Sequence, residues 1–150
     1  MNEEKLQQCV RDLRQESPRG PRAMVGGFVI LARCVDKCRA ELLGVNGDYH
    51  YWPCSLCEEL ETFTGVNHED LHDFIATGAT DAQVGAWFAE QSGCTAAQIT
   101  QWNWQMRDKR MSDLSPELQV HLEQYVAQYL PPERPIYVWF DLYDIEEGRL

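Results

Sequence analysis

A recurring pair of signals confines most of this chain to short helices: a capping side chain where each begins, and a glycine or proline pair where it stops. Asn67, with Asp70 three residues on, Thr80, Thr95, and Ser115 followed by Pro116 each precede an apolar run of helical period. Gly65, Gly78, Gly93 and the pair Pro131-Pro132 close such runs. Inside them Leu56, Leu60 and Phe63, then Val84, Trp87 and Phe88, then Ile99, Trp102 and Met106, and finally Leu118, Leu122, Val126 and Tyr129 recur at helical steps. The expected fold is all-α: a single compact domain spanning residues 1–150, built from about six to eight short helices.

Upstream of Ser55 the pattern is less regular. Leu6, Val10 and Leu13 predict a first helix over residues 2–15, ended at Ser17-Pro18 because proline restricts the residue before it. An extended linker is expected near residues 17–27, with a bend at Gly26-Gly27. Beyond it Leu31, Cys34, Val35, Cys38 and Leu42 define one apolar face of a helix that stops at Gly44. Asn46-Gly47-Asp48 is a strong turn signal, so residues 44–53 form a second non-helical stretch, with Tyr49 to Trp52 extended. Residues 135–150 fit two patterns: Ile136, Val138, Phe140 and Leu142 alternate like a strand, while Trp139, Leu142 and Tyr143 fit a helix, and a docked helical tail is the expectation.

At 150 residues, with 44% hydrophobic and 11% aromatic content, the chain can bury its own core. Its net charge of −11 is unevenly spread. Residues 1–40 hold eight Lys or Arg against five Asp or Glu, whereas residues 41–150 hold five against nineteen, and no Lys or Arg lies between Glu41 and Met106. So acidic a surface repels phosphate backbones and anionic lipid, which argues against nucleic-acid and membrane partners. No apolar run reaches the length of a membrane span and the N-terminus has no signal-peptide pattern, so a cytoplasmic location is expected. Six cysteines in that compartment are expected to be mostly reduced thiols rather than a disulfide framework.

The residues from Pro18 to Leu56 carry a resemblance. Pro21-Arg22, Gly26-Gly27, the run Phe28 to Arg33, Asp36-Lys37-Cys38-Arg39-Ala40, Gly44, Asn46-Gly47, Tyr49-His50, Cys54 and Leu56 resemble the pattern of a bacterial family known as domain of unknown function 5069. Weaker echoes at Gly65, Phe74, Gly78, Asp81, Trp87 and Phe140 to Asp144 extend the resemblance over most of the chain. Two positions depart from it: Cys57 stands where the family has an acid, and Cys34 where it has an apolar residue. The resemblance implies that residues 18–56 form a unit; it implies no activity, cofactor or substrate.

Three constellations could carry chemistry. His68-Glu69-Asp70-Leu71-His72 spells H-E-x-x-H, which inside a helix lets two imidazoles share a zinc, with Glu90 as a conceivable third ligand. Asn67 looks like the cap, however, which leaves His68 in the first turn among acids, and an acidic helix start is the plainer reading. Cys34-x3-Cys38 and Cys54-x2-Cys57 give the two-plus-two grouping of a structural zinc site, or a redox pair at Cys54 and Cys57. The first pair lies on an apolar face, where cysteine packs as a small hydrophobe, so buried thiols are expected and no cofactor is assigned.

The third constellation is Arg33, Asp36, Lys37 and Arg39, with Arg22 from the linker and Tyr49 and His50 after the turn. Guanidinium groups grip carboxylate and phosphate bidentately, and His50 could carry a proton. A solvated face of i,i+3 and i,i+4 ion pairs is the plain alternative. Two functions follow, and the first is the expectation and the second its alternative, because no nucleophile and base stand paired at a recognisable spacing. One is a non-enzymatic module that binds an anionic small molecule or an acidic partner segment through Arg22, Arg33, Lys37 and Arg39. The other is an enzyme that uses Tyr49, His50 and Cys54 in acid–base or thiol chemistry.

Overall fold

Each cap expected from Asn67 onward is formed in the computed structural model, which describes residues 1–150. Asn67 Oδ1 accepts from Glu69 N at 2.7 Å, and Ser115 Oγ accepts from Leu118 N at 3.2 Å. Thr80 and Gln83 exchange a reciprocal pair of bonds at 2.9 and 3.3 Å, and Thr95 and Gln98 do the same at 2.8 and 3.2 Å. The chain has eight helices: α1 (Glu3–Cys9), α2 (Leu31–Leu42), α3 (Ser55–Thr64), α4 (His68–Ala76), α5 (Asp81–Ser92), α6 (Ala96–Arg107), α7 (Pro116–Tyr129) and α8 (Trp139–Glu146). The all-α expectation holds apart from one two-stranded hairpin, β1 (Met24–Val25) and β2 (Phe28–Val29).

The hairpin occupies part of what sequence predicts as linker. Gly26 and Gly27 both have positive φ, 59° and 83°, the backbone a two-residue hairpin turn of the primed kind demands. Gly26 has a second constraint, because a Cβ there would lie 2.7 Å from the Gly85 backbone. The turn therefore presses against α5 at a point where both elements must lack a side chain.

The chain gathers into two compact units, Met1–Thr100 and Gln101–Leu150, with the boundary inside α6. The first is centred on α2, whose residues from Leu31 to Ala40 are all buried. Around it lie α3, α4 and the hairpin, and Leu31 and Val35, both fully buried, each contribute about 1.5–3 kcal/mol by their removal from water. The residue that precedes α2 is Ile30, which is fully buried with φ 73°, a strained conformation for a β-branched residue. α1 stops at Cys9, well short of the expected residue 15. The backbone turns extended at Val10, Asp12 Oδ1 accepts from Arg14 N in a local turn, and Leu13 N bonds Val45 O at 2.9 Å. A tertiary bond takes the place of further helix.

In the second unit, Trp102, Met106, Leu122, Leu130, Phe140 and Leu142 are buried. The ambiguous C-terminal segment uses both of its patterns in succession. Val138 bridges Arg110 in antiparallel fashion, with Met111 N to Tyr137 O at 2.8 Å, and α8 follows at once from Trp139. No helix is long and apolar enough to cross a membrane.

Candidate functional site

The charged residues of α2 are not a solvated face. Arg33, Asp36, Lys37 and Arg39 are all buried, none more than 4% exposed, so the solvated face of ion pairs is not what these residues form. With each charge removed from water, a nearby counter-charge or acceptor becomes obligatory.

Asp36 is satisfied by the linker: Arg19 donates to it from the backbone N at 2.8 Å, Nε at 3.0 Å and Nη2 at 2.8 Å, and Arg11 Nε lies at 3.6 Å. Arg19 continues to Asp81 through Nη1 at 2.7 Å. Arg39 Nη1 reaches the same carboxylate at 2.8 Å, while its Nη2 donates to Ala79 O at 2.9 Å. The result is a chain of alternating charge, Arg11–Asp36–Arg19–Asp81–Arg39, that ties the linker and α2 to the start of α5. Burial works against the Asp81 carboxylate, but the Arg19 and Arg39 guanidinium groups outweigh it and hold Asp81 below the usual carboxylate range. Neither Arg11 nor Arg19 stands out in the sequence, and Asp81 does so only as an echo of the family pattern, since their roles exist only once the linker folds back over α2.

Arg33 turns towards Tyr49. Its Nη1 donates to Arg19 O at 3.2 Å, and its guanidinium carbon sits 5.8 Å from the Tyr49 ring centroid. Tyr49 Oη donates to Ser17 Oγ at 3.4 Å. Arg22 is half-buried on the linker, and His50 is exposed on the loop after α2. Of the seven candidate binding residues, then, Arg33 meets Tyr49, Asp36 and Arg39 enter the charge chain, Lys37 points elsewhere, and Arg22 and His50 are the more exposed.

Lys37 faces Cys54, the residue that precedes the first turn of α3. Burial pushes the Cys54 thiol up, yet the Lys37 ammonium, acting through charge and a hydrogen bond, and the N–H groups of Cys57 and Leu56 outweigh it, and the thiol lies below its ordinary pKa. Those N–H groups are the orphan donors of the helix start; they favour negative charge on the sulfur even though the thiol makes no regular cap hydrogen bond. Cys38, one residue after Lys37, shows the opposite case. It is fully buried, and desolvation, reinforced by Glu41, drives its thiol far above the ordinary value.

Cys34 and Cys57 form a disulfide with a Cα–Cα distance of 6.3 Å, which joins α2 to α3. The expectation that these two are reduced thiols is corrected here: Cys34 on the inner face of α2 meets Cys57, one helical turn into α3, because the two helices pack directly. Cys9, Cys38, Cys54 and Cys94 remain free. Beside the disulfide is a small cavity of about 10 Å³, lined by Cys34, Tyr51, Cys57, Glu61, His68 and Phe88 among others. His68 Nδ1 lies 2.7 Å from Glu61 Oε2, its ring stacks on Trp52 at 3.7 Å between centroids, and Tyr51 Oη donates to His68 O at 2.7 Å.

The H-E-x-x-H imidazoles do not converge. His68 pairs with Glu61, His72 with Asp73 at 3.1 Å, and no group of three or more His, Cys, Asp or Glu is arranged to hold a metal ion. The four-thiol grouping is likewise divided, with Cys34 and Cys57 bonded to each other and Cys54 turned to Lys37. Spacing alone could not separate these outcomes, because Cys34 and Cys57 are brought together by helix packing.

A family model described as Domain of unknown function (DUF5069) matches residues 15–149. No curated protein matches the chain. The two cysteines that depart from the pattern quoted above, Cys34 and Cys57, are the two that pair.

Proposed function

We propose that this chain, which belongs to the DUF5069 family, is an enzyme of thiol chemistry in which Cys54 is the nucleophile and Lys37 the cation that holds it as a thiolate. One observation carries the reading: Cys54 stands at the cap position of α3, where the Lys37 ammonium and the N–H groups of Leu56 and Cys57 act on its sulfur, the environment that activates catalytic cysteines. Asp36 fixes the linker against α2, and the Arg33–Tyr49 contact holds the loop that leads to Cys54. His50, exposed on that loop, is the proton carrier nearest in sequence. The chemistry is assigned to side chains without a resident cofactor, in a bacterial cytoplasmic protein where small thiols are abundant.

The test is the pH dependence of Cys54 alkylation by iodoacetamide, read by peptide mass spectrometry on the intact folded chain. Its inflection is expected below that of a free cysteine, about 8.5, and is expected to move upward in Lys37→Met. An inflection at the free-thiol value that Lys37→Met leaves in place would remove the reading.

A second reading, a non-enzymatic module for an anionic small molecule or acidic segment, has one observation in its favour. Arg39 Nε is buried with no acceptor, so the positive charge of α2 is not fully matched. It is the weaker reading because Asp81 already takes the Arg39 guanidinium and Arg33 already donates to Arg19 O. Stabilisation by a polycarboxylate in a thermal-shift series, lost in Arg33→Ala, is the outcome expected if it holds; a shift unchanged in that variant removes it.

A further inference from the structure

The Cys34–Cys57 disulfide stands one helical turn from the Cys54 thiol. Cys54 occupies the position before α3 and Cys57 the third position within it, so the two belong to one C-x-x-C turn at a helix start, the spacing at which thiol and disulfide sulfurs exchange. Direct attack from solvent is another matter: Cys34 is 1% and Cys57 6% exposed, whereas Cys54 is only half-buried. The disulfide is shielded from an external thiol and open to an internal one.

We propose that Cys54 exchanges with this disulfide, so that the protein alternates between a Cys34–Cys57 link that ties α2 to α3 and a Cys54–Cys57 link confined to the start of α3. In the forward step the Cys54 thiolate attacks Cys57 Sγ, the Cys54–Cys57 bond forms, the Cys34–Cys57 bond breaks, and Cys34 leaves as a thiolate. No electrons are gained or lost overall, and one proton from water completes the balance by converting the Cys34 thiolate to a thiol. The cavity beside the disulfide is about the size that holds a single water, and His68, fixed by Glu61, lines it together with Cys34. Cys34 itself is removed from water, so its thiolate is costly until protonated and the link between α2 and α3 is the resting form. The second link places Cys57 in a bond with the more accessible Cys54, where an external dithiol can reduce it. The inference rests on the nucleophilic Cys54 of the proposed function and names its substrate class: a disulfide, in the first instance the protein's own.

The experiment follows reduction of the full-length folded protein by dithiothreitol, quenched with acid at intervals, alkylated and mapped without reduction by mass spectrometry. Wild-type protein is expected to show a Cys54–Cys57 peptide pair alongside Cys34–Cys57. Cys34→Ser is expected to form Cys54–Cys57 on mild oxidation, and Cys54→Ser, whose serine is a good helix cap, is expected to lose its Cys34–Cys57 bond at least about tenfold more slowly than wild type. Circular dichroism checks that the Cys54→Ser chain is folded, and Cys54→Ala serves in its place should it not be. Reduction of the folded Cys54 variant at the wild-type rate, with Cys34–Cys57 as the sole link in wild-type samples and no Cys54–Cys57 link in oxidised Cys34→Ser, would overturn the exchange. Should that happen while the alkylation inflection of Cys54 remains low and sensitive to Lys37, the exchange alone fails and the nucleophile stands; an ordinary inflection fails both.

Discussion

α2 and α7 are helices of similar length with opposite fates. α2 spans 12 residues, its first ten are buried, and four of those ten are charged; α7 spans 14 residues and buries only Leu122. On α7 the apolar residues at helical spacing include Tyr129, which is 57% exposed, so its polar residues need no protein partner. On α2 the charged side chains before Glu41 lie in a low-dielectric interior and are met by other elements: Asp36 by Arg19, Arg39 by Asp81 and Ala79, Lys37 by Cys54. Charge on an exposed helix is solvation, and charge on an enclosed helix is architecture that can also tune a reactive group.

The sharpest way to break this comparison is Asp36→Ala. It removes the buried carboxylate that Arg19 and Arg11 share and is expected to destabilise the protein by about 3–5 kcal/mol in urea unfolding, whereas Glu123→Ala on α7 changes stability by less than about 0.5 kcal/mol. Equal effects would mean that the two helices do not differ in this respect. Gly85→Ala comes next. In an exposed helix the exchange would stabilise by about 1 kcal/mol, but here the new Cβ lies 2.7 Å from Gly26 N, so a net loss of about 1–3 kcal/mol is expected from the same measurement.

The pH dependence follows from Asp81. Its pKa is lowered in the folded state, so its stabilisation is complete above the unfolded carboxylate value of about 4 and is lost as pH falls through the lower folded value. Thermal unfolding from pH 6 to pH 2 is expected to show a midpoint decline at the acid end that is shallower in Asp81→Asn. The smallest effect belongs to Val120→Lys on α7, where a 55% exposed side chain gains a charge; a change beyond about 0.5 kcal/mol would show that α7 is more enclosed than its exposure indicates.

Much of the helical skeleton was legible beforehand because capping is local. The bonds at Asn67, Thr80, Thr95 and Ser115 span two or three residues, and Gly65 and Gly93 end α3 and α5 in the left-handed conformation that glycine adopts without steric cost. The hairpin at residues 24–29 was less legible, since its two strands have two residues each and too short a pattern to register. The candidate site was legible as a location: Lys37 and Cys54 both stood among the residues singled out, but in different constellations. What joined them was the approach of α3 to α2.

The sequence by itself determined where most helices start and stop, that positive charge is concentrated before residue 40, and that reactive residue types cluster between Arg22 and Cys57. Tertiary structure alone decided which face of α2 is outside, and the answer is neither. A hydrophobic period reports which face is apolar; it does not report whether the opposite face is covered, because that depends on elements distant in sequence, here the linker at Arg19 and the start of α5 at Asp81. The same holds for the thiols. Six cysteines are countable in one dimension, but whether each is a disulfide partner, an inert buried thiol or a thiol of lowered pKa depends on what lies within a few ångströms of its sulfur, and only packing sets that.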